Sequence, residues 1–235
     1  MQLPKIQTPV YTTNLISNDK EITFRPLLVK EEKILLTALQ EENNKISLQN
    51  FIQILKNCIL TDNIDVENLP SFDAMYLFIK IREKSMGEIV NISVRDSEAK
   101  KTFEAEMNLN DVKVIKKKKI ETKFNLSDDI GIILKYPTIK ELFNVTNENI
   151  TSSKLLEILI DSIDKIYDKN EVYETKNYTK EQLNEFIENL SPEMLNKTKQ
   201  FFDNIPKIVY ENEFESPFSK KKIKVVVEDF IDFLI

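Results

Sequence analysis

The sequence contains no histidine, one cysteine and two glycines among its 235 residues. Without histidine, the chain cannot build a histidine general base, a Ser-His-Asp triad or a histidine metal site. The lone Cys58 permits neither a disulfide nor a cysteine-ligated zinc site within one chain. Gly87 and Gly131 cannot form a GxGxxG or a GxxxxGK[ST] phosphate loop. These absences exclude the standard catalytic and nucleotide-binding designs.

Positive charge is also in deficit, with 33 Lys and Arg residues against 39 Asp and Glu residues. The net charge of -6 and the pI near 5.1 argue against duplex nucleic acid as the main partner, because phosphate binding needs a basic face, although a local basic patch stays open. No apolar run approaches a membrane span, and the N-terminus lacks the pattern of a secretory signal. We therefore expect a soluble protein in an intracellular compartment, or in a particle assembled there, without a membrane contact.

Hydrophobic spacing alternates between strand and helix periods along the chain, which predicts an α+β fold. Amphipathic helices and two β-hairpin units are expected, arranged in two lobes. The first domain, residues 1–136, should hold an N-terminal hairpin, three helices and a small antiparallel sheet. The second domain, residues 137–235, should be a helical lobe that ends in a hairpin and a short apolar C-terminal element.

The elements of the first domain follow from local patterns. The predicted helices cover residues 29–41, 47–60 and 71–87. The third helix is apolar around nearly its whole circumference, so we expect it to be central. The predicted strands beyond the N-terminal hairpin, assigned to one sheet, cover residues 89–94, 103–109, 120–126 and 131–136.

The second domain is predicted from cap signals as well as from periodicity. Apolar spacing favours one helix from Ser153 to Tyr167, after a short helix that carries Ile139, Leu142 and Phe143. Thr179 and Gln182 have capping-box spacing, and Ser191-Pro192 supplies an N-cap with a proline at the first helical position. The final hairpin is predicted over residues 208–214 and 222–227.

Carboxylate pairs are the remaining candidates for chemistry. Asp161 and Asp164 lie one helical turn apart on a polar face of the predicted helix, which is typical of a solvated surface. Asp128-Asp129 lies in a turn before Gly131. A hydrolase needs carboxylates from different elements, so we interpret both pairs as surface residues and expect no enzyme activity.

The candidates for partner contact are Arg25, Arg82, Lys116, Lys117, Lys118, Phe230 and Phe233. The lysine run is a solvated loop, a docking site for an acidic partner, or a weak contact for nucleic acid. Each arginine follows an apolar run, where its planar guanidinium could bridge carboxylates inside the fold or at an interface. An internal pair of Arg82 with Asp73 or Glu88 is the structural alternative. The C-terminal phenylalanines either cap the core, which we favour, or reach into a neighbour.

A known family shares the order of several short motifs with this chain. The segment from Arg25 to Leu36 opens with Arg-Pro after a strand and continues as a helix with two acids in its first turn. It resembles the signature near the N-terminus of the baseplate hub subunit of T-even-type contractile-tail bacteriophages. The later residues that match this family are Cys58, Asp73, Ile81-Arg82, Ser85, Gly87-Glu88, Phe186, Leu190, Phe201-Phe202, Ile205-Pro206 and Asp229 to Phe233.

The resemblance implies a non-catalytic structural or assembly protein of the tail baseplate hub, without cofactor or metal, that binds other hub proteins. It would be found in the host cell cytoplasm during assembly and in the virion tail baseplate if retained. Some relatives carry paired cysteines at hairpin turns, which suggests a zinc ribbon. The equivalent turns here, residues 95–98 and 215–218, contain none. The hairpins are therefore expected to hold through strand pairing and packing alone.

Two other functions stay open at this point. The first is a transient assembly chaperone that is absent from the finished virion. The second is a small hydrolase or nucleic-acid-modifying enzyme that uses only carboxylates and lysines. Loss of turnover on mutation of Asp128 or Asp161 would favour the enzyme, whereas absence from purified virions would favour the chaperone.

Overall fold

The computed structural model describes residues 6–40, 44–117, 120–141, 152–228 and 233. The α-helices are α1 (Val29–Gln40), α2 (Asn44–Cys58), α3 (Ser71–Met86), α4 (Ser152–Asp161), α5 (Lys180–Glu188) and α6 (Pro192–Asp203). The strands are β1 (Tyr11–Asn14), β2 (Glu21–Phe24), β3 (Ile89–Asp96), β4 (Lys101–Asn108), β5 (Lys113–Ile115), β6 (Lys123–Asn125), β7 (Gly131–Leu134), β8 (Ile163–Tyr167), β9 (Val172–Glu174), β10 (Lys207–Glu215) and β11 (Lys222–Val227). The mixed α+β class is confirmed.

The chain divides into two compact units. Unit 1 comprises Met1–Ile115 and Lys207–Ile235, and unit 2 comprises Lys116–Pro206. The final hairpin therefore groups with the N-terminal elements. The predicted division between residues 136 and 137 stays a prediction, and it differs from this grouping.

Unit 1 contains three antiparallel sheets. The β1–β2 and β3–β4 pairs are separate two-stranded sheets, and the third sheet has the strand order β11-β10-β5. The hairpins predicted around residues 17–20, 95–98 and 215–218 are all present. β5 was not predicted, and it adds Lys113–Ile115 to the edge of β10.

The third helix is central to unit 1, as predicted. Side chains from all sides of α3 are buried, including Phe72, Leu77, Phe78 and Ile81. Gly87 follows the helix with a φ of 86° and a ψ of 173°, a conformation that is essentially restricted to glycine. The large, fully buried side chains of this unit are Ile22, Phe24, Ile54, Leu55, Leu77, Phe78, Ile79, Ile81, Met107, Tyr210 and Phe233.

Unit 2 is built on an antiparallel sheet with the strand order β6-β7-β8-β9. β6 and β7 had been assigned to the sheet of β3 and β4, and that assignment is wrong because they pair in this separate sheet. Its core unites the sheet with α4, α5 and α6 through Phe124, Leu126, Ile132, Leu134, Leu159, Ile160, Ile163, Leu183, Ile187 and Phe201. Gly131 permits close packing here, because a Cβ would lie 2.1 Å from the Tyr167 ring.

The single helix predicted from Ser153 to Tyr167 is wrong in its second half. The chain leaves α4 at Asp161, and Ile163–Tyr167 forms β8. β8 pairs with β7 on one side and β9 on the other, which satisfies its backbone groups within the sheet. The spacing of Ile163 and Ile166 fits the helical period, and the strand pairing overrides it. In the short helix predicted before α4, only residues 139–141 are described, and the rest lies outside the described residues.

The predicted caps in unit 2 are confirmed. The Thr179 hydroxyl accepts from the Gln182 amide, and the Gln182 side chain accepts from the Thr179 amide. Ser191 accepts from the Met194 amide at the start of α6, where Pro192 is the first helical residue. Each cap satisfies amides that the helix itself leaves unpaired.

Candidate functional site

The Arg25-Pro26 signature forms a buried ion pair with the helix that follows it. β2 ends at Phe24, and Pro26 removes the donor that a further strand residue would need. Arg25 Nη2 lies 2.9 Å from Glu31 Oε1, and Arg25 Nη1 donates to Glu31 Oε2 at 3.2 Å. Glu31 has no exposed surface and also accepts from the Leu28 amide at 2.9 Å. The two-point contact fixes the turn between β2 and α1.

The pair is held in its charged form. Burial acts to raise the pKa of Glu31, but hydrogen bonds from Arg25 and the Leu28 amide outweigh it and lower the pKa below its usual value. The hydrogen bond to Glu31 raises the pKa of Arg25. Both side chains therefore stay ionised at neutral pH, and neither is poised to exchange a proton with a substrate.

Cys58 lies against this ion pair at the end of α2. The Arg25 amide donates to the Cys58 carbonyl at 2.9 Å, and the Cys58 sulfur accepts from Arg25 Nη1 at 3.7 Å. Burial raises the pKa of the Cys58 thiol to about 11. Cys58 is fully buried, and its thiol is protonated and shielded from solvent.

We expect native Cys58 to be unreactive toward a thiol reagent, because only an exposed thiolate reacts quickly. Ellman's reagent should release no colour from the folded protein over several minutes, and should react fully after unfolding in urea. A stoichiometric reaction of the folded protein would contradict the buried placement. The Cys58→Ser variant gives the background in both conditions.

Helix α3 supplies two further contacts to the N-terminal segment. Near its start, Asp73 Oδ1 accepts from the amides of Ile16 at 2.6 Å and Ser17 at 3.2 Å. Near its end, the Ser85 hydroxyl accepts from the Leu27 amide at 2.8 Å. The β1–β2 turn and the segment that follows β2 are therefore both hydrogen-bonded to side chains of α3.

The residues that carry the family resemblance thus make internal contacts. We call the hydrogen bonds of Arg25, Glu31, Cys58, Asp73 and Ser85 the signature contacts. They join β1, β2, α1, α2 and α3 within unit 1. Of the five residues, all except Ser85 are buried. The arrangement can orient elements of the fold, but it offers no exposed nucleophile or proton acceptor.

The turns of the β3–β4 and β10–β11 hairpins lie together in unit 1. The Ser216 hydroxyl donates to Asp96 Oδ2 at 2.5 Å, and both side chains are buried. Asp96 Oδ1 also accepts from the amides of Glu98 and Ala99, each at 2.9 Å. The expectation that strand pairing and packing alone hold these hairpins is therefore wrong, because a polar side-chain contact joins their turns.

These hydrogen bonds make the turn contact dependent on pH. The Ala99 amide, the Ser216 hydroxyl and further donors lower the pKa of Asp96 well below its usual range. A lowered pKa stabilises the folded state above the unfolded-state value of about 3.9, and the stabilisation is lost as the pH falls toward the folded-state value.

We expect Asp96→Asn to unfold at a lower temperature than the wild type at pH 6, and the difference to shrink as the pH falls below about 3.9. Circular dichroism melting curves between pH 6 and pH 2 measure this. The exposed Asp111 on the same unit provides a matched Asp111→Asn control. A difference in melting temperature that stays constant with pH would contradict the role of the Asp96 carboxylate.

Of the candidate acids, Asp161 on α4 and Asp164 on β8 line one groove of unit 2 together with lysines. Asp129 pairs with Lys169, and Asp161 pairs with Lys180 at 2.8 Å. Asp164 lies on β8 rather than on a helix with Asp161. Across the described ranges, no group of three or more His, Cys, Asp or Glu side chains is placed to hold a metal ion.

The predicted partner-binding residues have contrasting environments. Arg25 and Arg82 are buried, and burial lowers the pKa of Arg82. Phe233 is fully buried in unit 1, whereas Lys116 and Lys117 are exposed. Lys118 and Phe230 lie outside the described residues. Partner contact through this set stays a prediction, and Lys116 and Lys117 are its members with exposed side chains.

Sequence reasoning missed the partners in these contacts. The ion pair between Glu31 and Arg25 was not predicted. An arginine six residues before an acid in a first helical turn is the available signal. For the hairpins, the signal available in the sequence is a polar residue followed four positions later by a lysine, as in Asp96 with Lys100 and Ser216 with Lys220.

Comparison with known proteins gives one positive result. The family model described as T4 bacteriophage base plate protein matches residues 8–235. No curated protein and no solved structure matches the chain. In the part of the chain that the structure describes, no helix has the length and apolar character needed to cross a membrane. Because the match covers nearly the whole sequence, the chain belongs to the family of T4 bacteriophage base plate proteins.

Proposed function

We propose that this protein is a non-catalytic component of the baseplate hub and that it binds other hub proteins. The observation that supports this most directly is the internal use of the family signature. Arg25, Glu31, Cys58 and Asp73 are buried and hold elements of unit 1 together. A motif of this kind maintains the fold and takes no part in a reaction. This role suits a structural protein that binds its neighbours through a fixed surface.

Strand edges and exposed cations are the proposed contact surfaces. β11 is the edge strand of its sheet, and its Val226 is 47% exposed. An edge strand can accept a further strand from a partner through backbone hydrogen bonds. Lys116 and Lys117 would add charge attraction to an acidic partner. Assembly would take place in the host cell cytoplasm, with retention in the virion tail baseplate.

Quantitative mass spectrometry of purified virions, beside a pull-down from infected cells, tests this proposal. We expect a small, fixed copy number per virion and co-purification of other hub proteins. Recovery in the pull-down alone would replace the structural role with that of a transient assembly chaperone. Absence from both would overturn the hub assignment. A tail-sheath protein in the same virions serves as the copy-number standard.

A further inference from the structure

A groove in unit 2 combines tyrosine rings with acidic side chains. It has a volume of about 410 Å³ and lies between the β8–β9 end of the sheet and helix α5. The lining residues that matter are Tyr167, Asp168, Tyr173, Tyr178, Glu185 and Phe186. The surface that these side chains offer is mainly apolar and aromatic, which is the usual character of a site that takes an anchor side chain.

Two of the tyrosines form an angled pair. The ring centroids of Tyr173 and Tyr178 lie 6.4 Å apart, with an angle of 68° between the ring planes. Tyr178 is 40% exposed at the groove. Tyr167 already has the Lys123 ammonium over its ring at 4.6 Å, so the chain itself uses one of these rings to hold a cation. Tyr173 and Tyr178 offer the same electron-rich faces to a cation from outside.

The charges of this groove have one sign. Among its described lining residues, Asp168 and Glu185 are the charged side chains. Asp168 accepts from the amides of Asn170 at 2.7 Å and Glu171 at 2.8 Å, and these bonds lower its pKa. Asp168 also accepts from the Tyr173 hydroxyl at 2.9 Å, which makes that ring more electron-rich. The carboxylates that line the groove therefore give it negative charge, which the Lys123 ammonium over Tyr167 partly offsets.

A second groove in the same unit has a different charge pattern, because both lysines and acids line it. It has a volume of about 580 Å³, and its lining mixes lysines with acids. There Lys180 pairs with Asp161, and Lys176 pairs with Glu174. Cations and carboxylates offset one another in that groove, so it gives no comparable preference for a charged ligand.

We infer that the tyrosine groove binds an arginine or lysine side chain, flanked by an apolar residue, from a partner protein. The cation would lie against the Tyr173 and Tyr178 rings with its charge toward Glu185, while the apolar neighbour would cover Phe186. This inference extends the proposed hub function. The partner is a baseplate protein only if that proposed function is correct. The chemistry of the groove stands on the charges and rings described above.

The probe is the peptide acetyl-Leu-Arg-Leu-amide, compared with the same peptide carrying citrulline, a neutral isostere of arginine. The full chain, with isotope-labelled tyrosine rings, is titrated and followed by NMR. We expect saturable shifts at Tyr173 and Tyr178, and an affinity for the citrulline peptide lower by about tenfold. Equal affinities, no binding, or shifts confined to other tyrosines would overturn the inference.

Three variants sharpen the test. Tyr178→Leu and Glu185→Gln should each weaken arginine-peptide binding several-fold. Glu188→Gln should leave it unchanged, because Glu188 is an exposed residue of the same helix outside the groove lining. Equal loss in all three variants would mean diffuse charge attraction and would reject a defined site. Sedimentation that shows a dimer closing the groove would replace the partner with a second copy and also overturn the inference.

The outcomes of this test and of the hub test can be told apart. Peptide binding is measured on the purified chain and needs no other phage protein. A positive titration with absence of the protein from virions and pull-downs would sustain the groove and reject the hub assignment. The reverse result would sustain the hub assignment and reject the groove.

Discussion

Arg25→Met should destabilise the protein by about 3 kcal/mol near pH 7, because it leaves the buried Glu31 carboxylate with only the exposed Lys30 ammonium, 3.5 Å away, as a countercharge. Glu31 has no exposed surface, and Arg25 supplies two of its hydrogen bonds. Methionine replaces most of the apolar volume of the arginine stem, so the loss reports on the charge rather than on a cavity. The urea midpoint of unfolding, followed by circular dichroism, measures the change.

A double variant separates the pair from its parts. Arg25→Met combined with Glu31→Leu removes both charges and should recover much of the lost stability. Lys224→Met is the matched control, because it breaks an exposed ion pair with Glu211 in the same unit and should change the midpoint little. A double variant as unstable as the sum of the two single variants would show that the two side chains are not coupled.

The pH dependence of this loss has a definite sign. Because the folded-state pKa of Glu31 is lowered, its contribution is present above the unfolded-state value of about 4.3 and is lost as the pH falls toward the folded-state value. In Arg25→Met, burial dominates and favours the neutral acid. The difference between wild type and variant should therefore shrink in acid, as urea midpoints at pH 7 and below pH 4 would show.

Asp73→Ala should destabilise the protein by about 2–4 kcal/mol, since two backbone amides lose a charged acceptor inside the fold. The amides are those of Ile16 and Ser17, and Asp73 has no exposed surface. The carboxylate also lies in the first turn of α3, where the helix dipole favours negative charge. Urea unfolding gives the loss of stability, and hydrogen exchange shows whether it begins at the β1–β2 turn.

Asp73→Asn is the matched comparison, because it keeps an acceptor oxygen of similar shape and removes the charge. We expect it to lose less stability than Asp73→Ala and to keep part of the exchange protection at Ile16 and Ser17. Unchanged protection of both amides in Asp73→Ala would show that the contact does not hold the turn in solution. Equal losses in both variants would assign the whole effect to charge.

Local signals explain which parts of the fold could be predicted. The cap at Thr179 and the N-cap at Ser191 each depend on residues within one turn, so the sequence displays them directly. The two predicted hairpin units depend on alternation and turn residues in the same way. Their registers follow from pairing between neighbouring strands.

Contacts between distant residues could not be predicted in this way. Asp73 and Ile16 are separated by 57 residues, and Asp96 and Ser216 by 120 residues. Hydrophobic periodicity is assessed over short windows of sequence, so it cannot predict a contact between residues this far apart. The prediction for β8 was wrong for a related reason. The spacing of Ile163 and Ile166 suits a helix, but the pairing with β7 and β9 makes this segment a strand. The tyrosine groove likewise joins side chains from β8, β9 and α5.

The pairing of β5 with β10 has a consequence for protein synthesis. Lys207 lies opposite Ile115, so the sheet of unit 1 joins residues on either side of the whole of unit 2. A ribosome delivers the chain from the N-terminus, and domains fold as their residues emerge. Unit 2 is continuous and can fold as soon as it has emerged. Unit 1, although it begins first, waits for the last strands to be translated, so its completion is the final step of folding.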